Sequence, residues 1–335
     1  MSGGVDSSAA ALLLRDAGDC MGVTLTMFPD AEEQNAADAR RVCDTLGLPH
    51  ATWDASAAFR QYVTDYFADA YAHGLTPNPC VVCNRYVKFG FLLDRAIDAG
   101  YDTVATGHYA RIWKGGGRRL VQKAADAKKD QSYVLAMLTT EQLSHVAFPL
   151  GALSKPEIRA MAEEAGLVTA HKSDSQDICF IPDGDYNAFL TRYTGKAAEP
   201  GDFLASDGRK VGTHRGQRCY TIGQCRGLGI ALGCRMYVTA KDADANTVTI
   251  DANENTLYRT RVVCRRFNNQ TGARLPDGMV CAAKLRYAHR ESPCRVWESD
   301  GGLVLEFDTP QRAPTPGQFA VLYDGDMVLG GAEIL

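Results

Sequence analysis

No stretch of this 335-residue chain comes near the roughly 20 consecutive apolar residues that a membrane-spanning helix requires. The N-terminus has no secretory leader pattern, so a cytoplasmic protein with no membrane contact is expected. Positive charge is not in excess. The formal net charge is -4, so any nucleic-acid binding must rest on a local basic patch. The eleven cysteines are an odd number, which in an intracellular-type chain argues against a disulfide framework. No Gly-Lys-Ser/Thr follows the glycine-rich opening and no G-x-G-x-x-G is present there, which excludes a Walker A loop and a dinucleotide fingerprint. Internal repeats and low-complexity tracts are absent. Apolar residues at 45% and charged residues at 23% are an ordinary globular mix, in a chain long enough for two or three domains.

What is present starts at the first residues, Met1-Ser2-Gly3-Gly4-Val5-Asp6-Ser7-Ser8, followed by the apolar run Ala9 to Leu14. Two glycines allow a tight turn and close approach to a ligand. Asp6 or Ser7 is the expected N-cap of a helix that ends near Gly18. Free N–H groups and the positive end of a helix dipole make such a loop an anion site. Ser-Gly-Gly-x-Asp-Ser resembles the PP-loop of ATP pyrophosphatases, which cleave ATP to AMP and pyrophosphate while adenylating a substrate. A PP-loop normally follows a hydrophobic strand. The chain opens at the loop itself, so a leading strand upstream is expected.

Downstream, predicted strands (Cys20 to Phe28, His50 to Asp54, Asp102 to Thr106) alternate with predicted helices (Ala36 to Leu46, Ala57 to His73, Asn84 to Ala99). That order implies an α/β, doubly wound parallel-sheet domain with its ligands at the strand C-termini. Further helices are expected at Ser132 to Leu138, Pro156 to Ala165 and Asp185 to Tyr193. Beyond about Lys196, glycines and short alternating segments predict a small middle α+β or β domain. A C-terminal β-barrel should follow, with strands at Met279 to Tyr287, Cys294 to Glu298, Leu303 to Phe307 and Phe319 to Tyr323. The expected domains are 1–195, 196–257 and 258–335.

Six stretches in order make the reading specific. They are the opening loop, Thr76-Pro77-Asn78-Pro79-Cys80-Val81-Val82-Cys83-Asn84, Ala105-Thr106-Gly107-His108-Tyr109, Lys129-Asp130-Gln131-Ser132-Tyr133, Ser175-Gln176-Asp177-Ile178-Cys179-Phe180 and Thr315-Pro316-Gly317-Gln318. Together they resemble the tRNA-specific 2-thiouridylase (MnmA) family nearly end to end. The resemblance implies ATP-dependent 2-thiolation of the wobble uridine, U34, in the anticodon loop of tRNAs for Lys, Glu and Gln. Adenylating the C2 oxygen makes it a leaving group. Cys179 would carry a persulfide supplied by a cysteine desulfurase or sulfur-relay protein, and Cys83 would end in a disulfide with it. Ser2, Gly3, Gly4, Asp6, Ser7 and Ser8 would hold ATP phosphates and Mg²⁺, with Met27 and Gly107 on the nucleoside. Asn78, Pro79 and Cys80 would face the target uridine. His108, Lys129, Asp130, Gln131, Arg286, Tyr287 and Gln318 would touch tRNA.

Two residue-level arguments stand beside the resemblance. Cys83 is expected just before a helix, where the dipole lowers a thiol pKa, and Cys179 lies in a segment too polar for a core. Cys20, Cys43, Cys264, Cys281 and Cys294 read instead as small buried hydrophobes. Many family members have Asp where this chain has Cys80. The resulting Cys80-x-x-Cys83, with Cys179, offers an alternative set of three ligands for a [4Fe-4S] cluster that would carry sulfide. Between Arg259 and Arg295, nine Lys/Arg face two acids, a candidate phosphate-tracking surface interleaved with Tyr287 and His289. The competing functions are an amidotransferase-type synthetase, a 4-thiouridine-type enzyme and a non-catalytic tRNA-binding paralogue.

Overall fold

The computed structural model describes residues 1–28, 33–172, 178–299 and 301–335. The Ser175-Gln176-Asp177 part of the Cys179 motif therefore lies outside the described residues.

The first helix, α1 (Val5–Leu14), buries Val5, Ala9, Ala10 and Ala11. It begins two to three residues earlier than the capping pattern predicts. Gly4 is the N-cap, and the Ser7 and Ser8 hydroxyls donate back to its carbonyl at 3.0 and 2.9 Å. That spends the hydroxyls on the helix's own first turn, so neither Asp6 nor Ser7 occupies the cap. Strand β1 (Gly22–Thr26) follows, then α2 (Glu33–Leu46) and β2 (His50–Asp54), which pairs with β1 in parallel register. A long helix covers 56–72 and includes a π-wound turn at Arg60–Thr64. A second covers 79–98 and is π-wound over Asn84–Phe91. It starts five residues before the predicted Asn84, because Pro79 suits the first helical position and Asn78 caps it, its side chain accepting from the Val81 N–H at 3.4 Å.

Strand β3 (Val104–Ala105) pairs in parallel with a short strand, Val146–Ala147. The expected doubly wound sheet thus consists, among the described residues, of two parallel two-stranded pieces. The N-terminal loop touches both. The Met1 amine bonds the Val23 carbonyl in β1, while Gly107, just after β3, lies against the Asp6 backbone.

Between β3 and that partner the chain forms a hairpin, β4 (Ala110–Gly115) and β5 (Arg118–Lys123), which the sequence reading missed. Its alternation is short and interrupted by charge. It does not join the parallel pieces but extends the C-terminal barrel. Numbering Val146–Ala147 as β6, a four-stranded middle sheet comes next: β7 (Gly201–Leu204), β8 (Lys210–His214), β9 (Tyr237–Asp242) and β10 (Thr247–Asp251), in the order β8-β7-β10-β9.

The barrel is antiparallel: β11 (Tyr258–Asn269), β14 (Gly302–Arg312), β13 (Ser292–Ser299), β12 (Met279–Lys284), β15 (Phe319–Asp324) and β16 (Met327–Ile334), closed by pairing of β11 with β16. The hairpin attaches to β16 through β5. Strands β11 and β16 were not predicted. Four arginines mask the inward positions Val262 and Cys264 of β11, and paired glycines dilute the pattern of β16.

Strand β15 shows how the barrel and the 79–98 helix lock together. Ala320 and Leu322 point into the barrel core, while Phe319, Val321 and Tyr323 point out into a second core with Val81, Val82, Phe89 and Leu93 of the 79–98 helix. Side chains on a strand alternate faces, so a run buried on both faces reads as continuous apolar sequence.

Candidate active site

The opening loop turns at Gly3, whose φ is +66°. Ser2 donates from its N–H and its hydroxyl to the Ser7 hydroxyl oxygen, at 3.1 and 3.2 Å. The Asp6 carboxylate accepts from the Tyr109 hydroxyl and from Lys155 Nζ, each at 2.7 Å. Thr169 donates to the Ser8 hydroxyl oxygen at 2.8 Å. Gly107 must be glycine on steric grounds: a Cβ there would stand 2.7 Å from the Asp6 carbonyl carbon. The strand-end turn predicted to meet the loop therefore does so by direct backbone contact. The donors around the loop, the Asp6 carboxylate and the Ser2 and Ser7 hydroxyls, are hard oxygens of the kind that suits Mg²⁺ accompanying a nucleotide. Lys155, Lys172, Tyr109 and Thr169 were not predicted. Their only local signal was polarity, and their partners lie more than a hundred residues away.

Cys83 and Cys179 are brought together by an aromatic cluster. Phe180 is 7% exposed, with its ring centroid 5.0–6.1 Å from those of Phe28, Phe59, Phe67 and Phe189. Cys83 is buried in the same cluster, with Ile181, and Met27 packs against it. Burying Phe180 and Ile181, with Ile178 packed against the same cluster, pins the chain on either side of an exposed Cys179. The Cys83 thiol is close enough to Cys179 and Cys80 to feel both charges.

The Cys83 thiol pKa is raised, not lowered as expected. Cys83 lies inside the helix rather than ahead of it, and burial pushes its thiol up to about 12, outweighing the Lys88 charge. Cys80 keeps an exposed surface, but the protein crowding its sulfur also pushes its thiol up, with Lys88 opposing.

The loop leading to Asn78 is clasped by the barrel. The Thr76 N–H donates to the Pro316 carbonyl at 2.9 Å, and Gln318 Nε2 donates to the Thr76 carbonyl at 2.8 Å. Pro79 is buried, so of the Asn78-Pro79-Cys80 trio Cys80 offers the exposed side chain.

Comparison with known proteins agrees with this arrangement along the whole chain. Residues 1–183 match the tRNA methyl transferase HUP domain, 187–252 the tRNA methyl transferase PRC-barrel domain, and 265–334 the Aminomethyltransferase beta-barrel domain. The tRNA-specific 2-thiouridylase MnmA of Chloroflexus aurantiacus is 46% identical over 348 residues, covering 100% of this chain and 96% of that protein. That of Lachnoclostridium phytofermentans is 43% identical over 350 residues, covering 100% and 98%. This chain belongs to the tRNA-specific 2-thiouridylase MnmA family. It is an enzyme, a tRNA sulfurtransferase by membership. A looser likeness, to the U34-tRNA thiolase NcsA from Methanococcus maripaludis with its [4Fe-4S] cluster, covers 58% of this chain and 64% of that one at 18% identity and a TM-score of 0.36, too distant to transfer a cofactor.

Among the described residues, no group of three or more His, Cys, Asp or Glu side chains is arranged as a metal site.

The residues assigned to tRNA by family resemblance divide in two. Tyr287, 47% exposed, donates to the Asp130 carbonyl at 3.2 Å and lies near enough to Cys80 and Lys129 to feel their charge. It therefore joins Lys129, Asp130 and Cys80 in one neighbourhood. Asp130 accepts from the Ala124 N–H and the Ser132 hydroxyl, and Gln131 accepts from the Tyr109 N–H at 2.9 Å, so both also shape the turn that carries them.

His108 and Arg286 face inward. His108 is buried between Phe89 and Phe148, with Nδ1 2.7 Å from the Thr106 hydroxyl, and burial holds its pKa well below the usual histidine range. Its side chain is 8% exposed and leaves little surface for a contact with RNA. Arg286 is half-buried and donates to the Arg312 and Ala313 carbonyls at 3.0 and 3.2 Å. Much of the basic stretch is likewise neutralised. Arg265 and Arg266 pair with the buried Glu333, Lys284 with Glu291, and Arg274 with Asp277. His289 is pushed down to about 4 by burial and by Arg286 and Arg312.

Proposed function

We propose that this enzyme uses ATP to thiolate C2 of the wobble uridine of tRNA, with Cys179 as sulfur carrier and Cys83 as its partner thiol. The observation that carries the proposal is that the cluster burying Cys83 also holds Phe180, so that an exposed Cys179, 96 residues away in sequence, stands close enough for the two thiols to feel each other. In this reading the opening loop holds the ATP phosphates, with Mg²⁺ at Asp6. The uridine O2 attacks the α-phosphorus, pyrophosphate leaves, and C2 carries an AMP ester. Cys83, once deprotonated, attacks the inner sulfur of the Cys179 persulfide and releases hydrosulfide. Hydrosulfide adds to C2 and expels AMP, which leaves 2-thiouridine and a Cys83–Cys179 disulfide. A two-electron thiol reductant then restores both thiols.

Residues 1–195 would perform the chemistry, while 196–257 and 258–335 would position the RNA. Lys129, Tyr287 and the exposed face around Cys80 would meet the anticodon loop, whose target base must be unstacked to reach the nucleotide. Tyr287 has the exposed ring that base stacking needs. Arg286 would act indirectly, by shaping the barrel rim next to Tyr287. The implied partners are tRNAs for Lys, Glu and Gln and a cytoplasmic persulfide donor.

The test is reconstitution of the purified protein with ATP, Mg²⁺, a persulfide-loaded donor and unmodified tRNA, with nucleoside mass spectrometry. We expect one 2-thiouridine per tRNA at the wobble position and one AMP per thiolation. ATP turnover without 2-thiouridine, or thiolation elsewhere in the tRNA, overturns the proposal.

A further inference from the structure

We infer that Lys172 is a positioning residue of the nucleotide loop, holding the Gly3 peptide so that the Gly4 N–H is aimed at the bound phosphates. The inference rests on the functional reading above, in that the loop binds ATP. Lys172 Nζ has three acceptors: the Gly3 carbonyl at 2.9 Å, Asn35 Oδ1 at 2.9 Å and Asp38 Oδ2 at 2.8 Å. An ammonium group has three N–H donors, so this set uses all of them. Asp38 is itself held, its other oxygen accepting from Gln34 and Arg41. The lysine is therefore a fixed post, and the loop is tied to it.

The geometry gives the tie a direction. In a trans peptide the C=O of one residue and the N–H of the next point opposite ways. Drawing the Gly3 carbonyl to Lys172 turns the Gly4 N–H the other way, away from the lysine. The Gly3 backbone has little room to choose another orientation. Its φ is +66°, and the Asn35 carbonyl stands 2.5 Å from where a Cβ would be. Ser7 and Ser8 hold the next carbonyl, that of Gly4. Successive N–H groups fixed in this way form an anion-binding nest at a helix N-terminus.

Lys172 also connects two parts of the reaction. It lies seven residues before Cys179 in sequence, so the same side chain ties the chain that leads to the sulfur carrier onto the loop. With all three donors engaged, Lys172 acts through Gly3 and does not itself contact substrate.

The test compares Lys172→Met, Lys172→Arg and Asp38→Asn with wild type. Mg·ATP affinity is measured by calorimetry without tRNA, and peptide-level hydrogen exchange over residues 1–14 is followed without ligand. Losing one charge-assisted hydrogen bond should weaken ATP binding about tenfold in Lys172→Met. The KM for ATP should rise while kcat at saturating ATP and the tRNA Kd change little. Exchange over 1–14 should rise, and Lys172→Arg should recover most of the affinity. Asp38→Asn should shift ATP affinity in the same sense by a smaller factor, which keeps the inference testable if Lys172→Met fails to fold. Wild-type ATP affinity together with wild-type exchange in a folded Lys172→Met or Asp38→Asn overturns the inference. If wild type itself binds no ATP, the functional reading fails, and the exchange measurement alone still decides whether Lys172 holds the loop.

Discussion

Gln318, at the entry to β15, donates its side-chain amide to the carbonyl of Thr76, 242 residues earlier, at 2.8 Å. With the bond from the Thr76 N–H to Pro316, it clasps the barrel to the loop that presents Asn78, Pro79 and Cys80. By family resemblance Gln318 contacts tRNA; here its amide is committed to the protein. Gln318→Ala should cost roughly 1–2 kcal/mol of stability. Thiolation should fall several-fold at subsaturating tRNA while ATP affinity stays at its wild-type value. Calorimetry for ATP and a thiolation assay check both, and an equal loss of the two would argue against a clasp that acts on the base-facing loop alone.

Cys83→Ser and Cys179→Ser should each abolish 2-thiouridine formation and leave tRNA affinity unchanged. Cys80→Ala should retain measurable thiolation. Retained activity in either serine variant, scored by nucleoside mass spectrometry, would sink the two-thiol mechanism.

Phe180 holds the sulfur carrier in place through aromatic contacts. Its removal should destabilise the protein by about 3–5 kcal/mol, as for other buried aromatic truncations. The exposed Cys179 should then react with iodoacetamide with altered kinetics. Thermal unfolding and alkylation followed by mass spectrometry read the two effects separately.

Stability should fall on both sides of neutrality. Cys83 and Cys264 are each pushed up to about 12 by burial, so the folded state keeps protons that the unfolded state loses from about pH 9. Their contribution is complete below the unfolded pKa and is lost as pH rises toward 12. His289, held down to about 4, and His108, lower still than an ordinary histidine, work the other way. Their contribution is complete above about pH 6.5 and is lost as the pH falls, through about 4 for His289. Urea unfolding from pH 4 to 10 should trace this dome. His108→Phe should flatten the acid arm, and Cys264→Ala should flatten the alkaline one.

The sequence by itself determined what neighbours along the chain can decide. The Ser-Gly-Gly loop running into an apolar helix and the apolar run of β15 both follow from local backbone chemistry. So did the expectation that Cys179 is exposed, since its neighbours are polar. Tertiary structure decided what depends on distant partners. Whether Cys83 sits at a helix end or inside a buried cluster depends on Phe180 and Phe67, which set the sign of its pKa shift. The basic stretch 259–295 looks uniformly cationic until Glu333 folds against Arg265 and Arg266. Lys172 is unremarkable in sequence because its loop acceptor lies 169 residues away. Burial and charge pairing are properties of the assembled chain, and no local periodicity carries them.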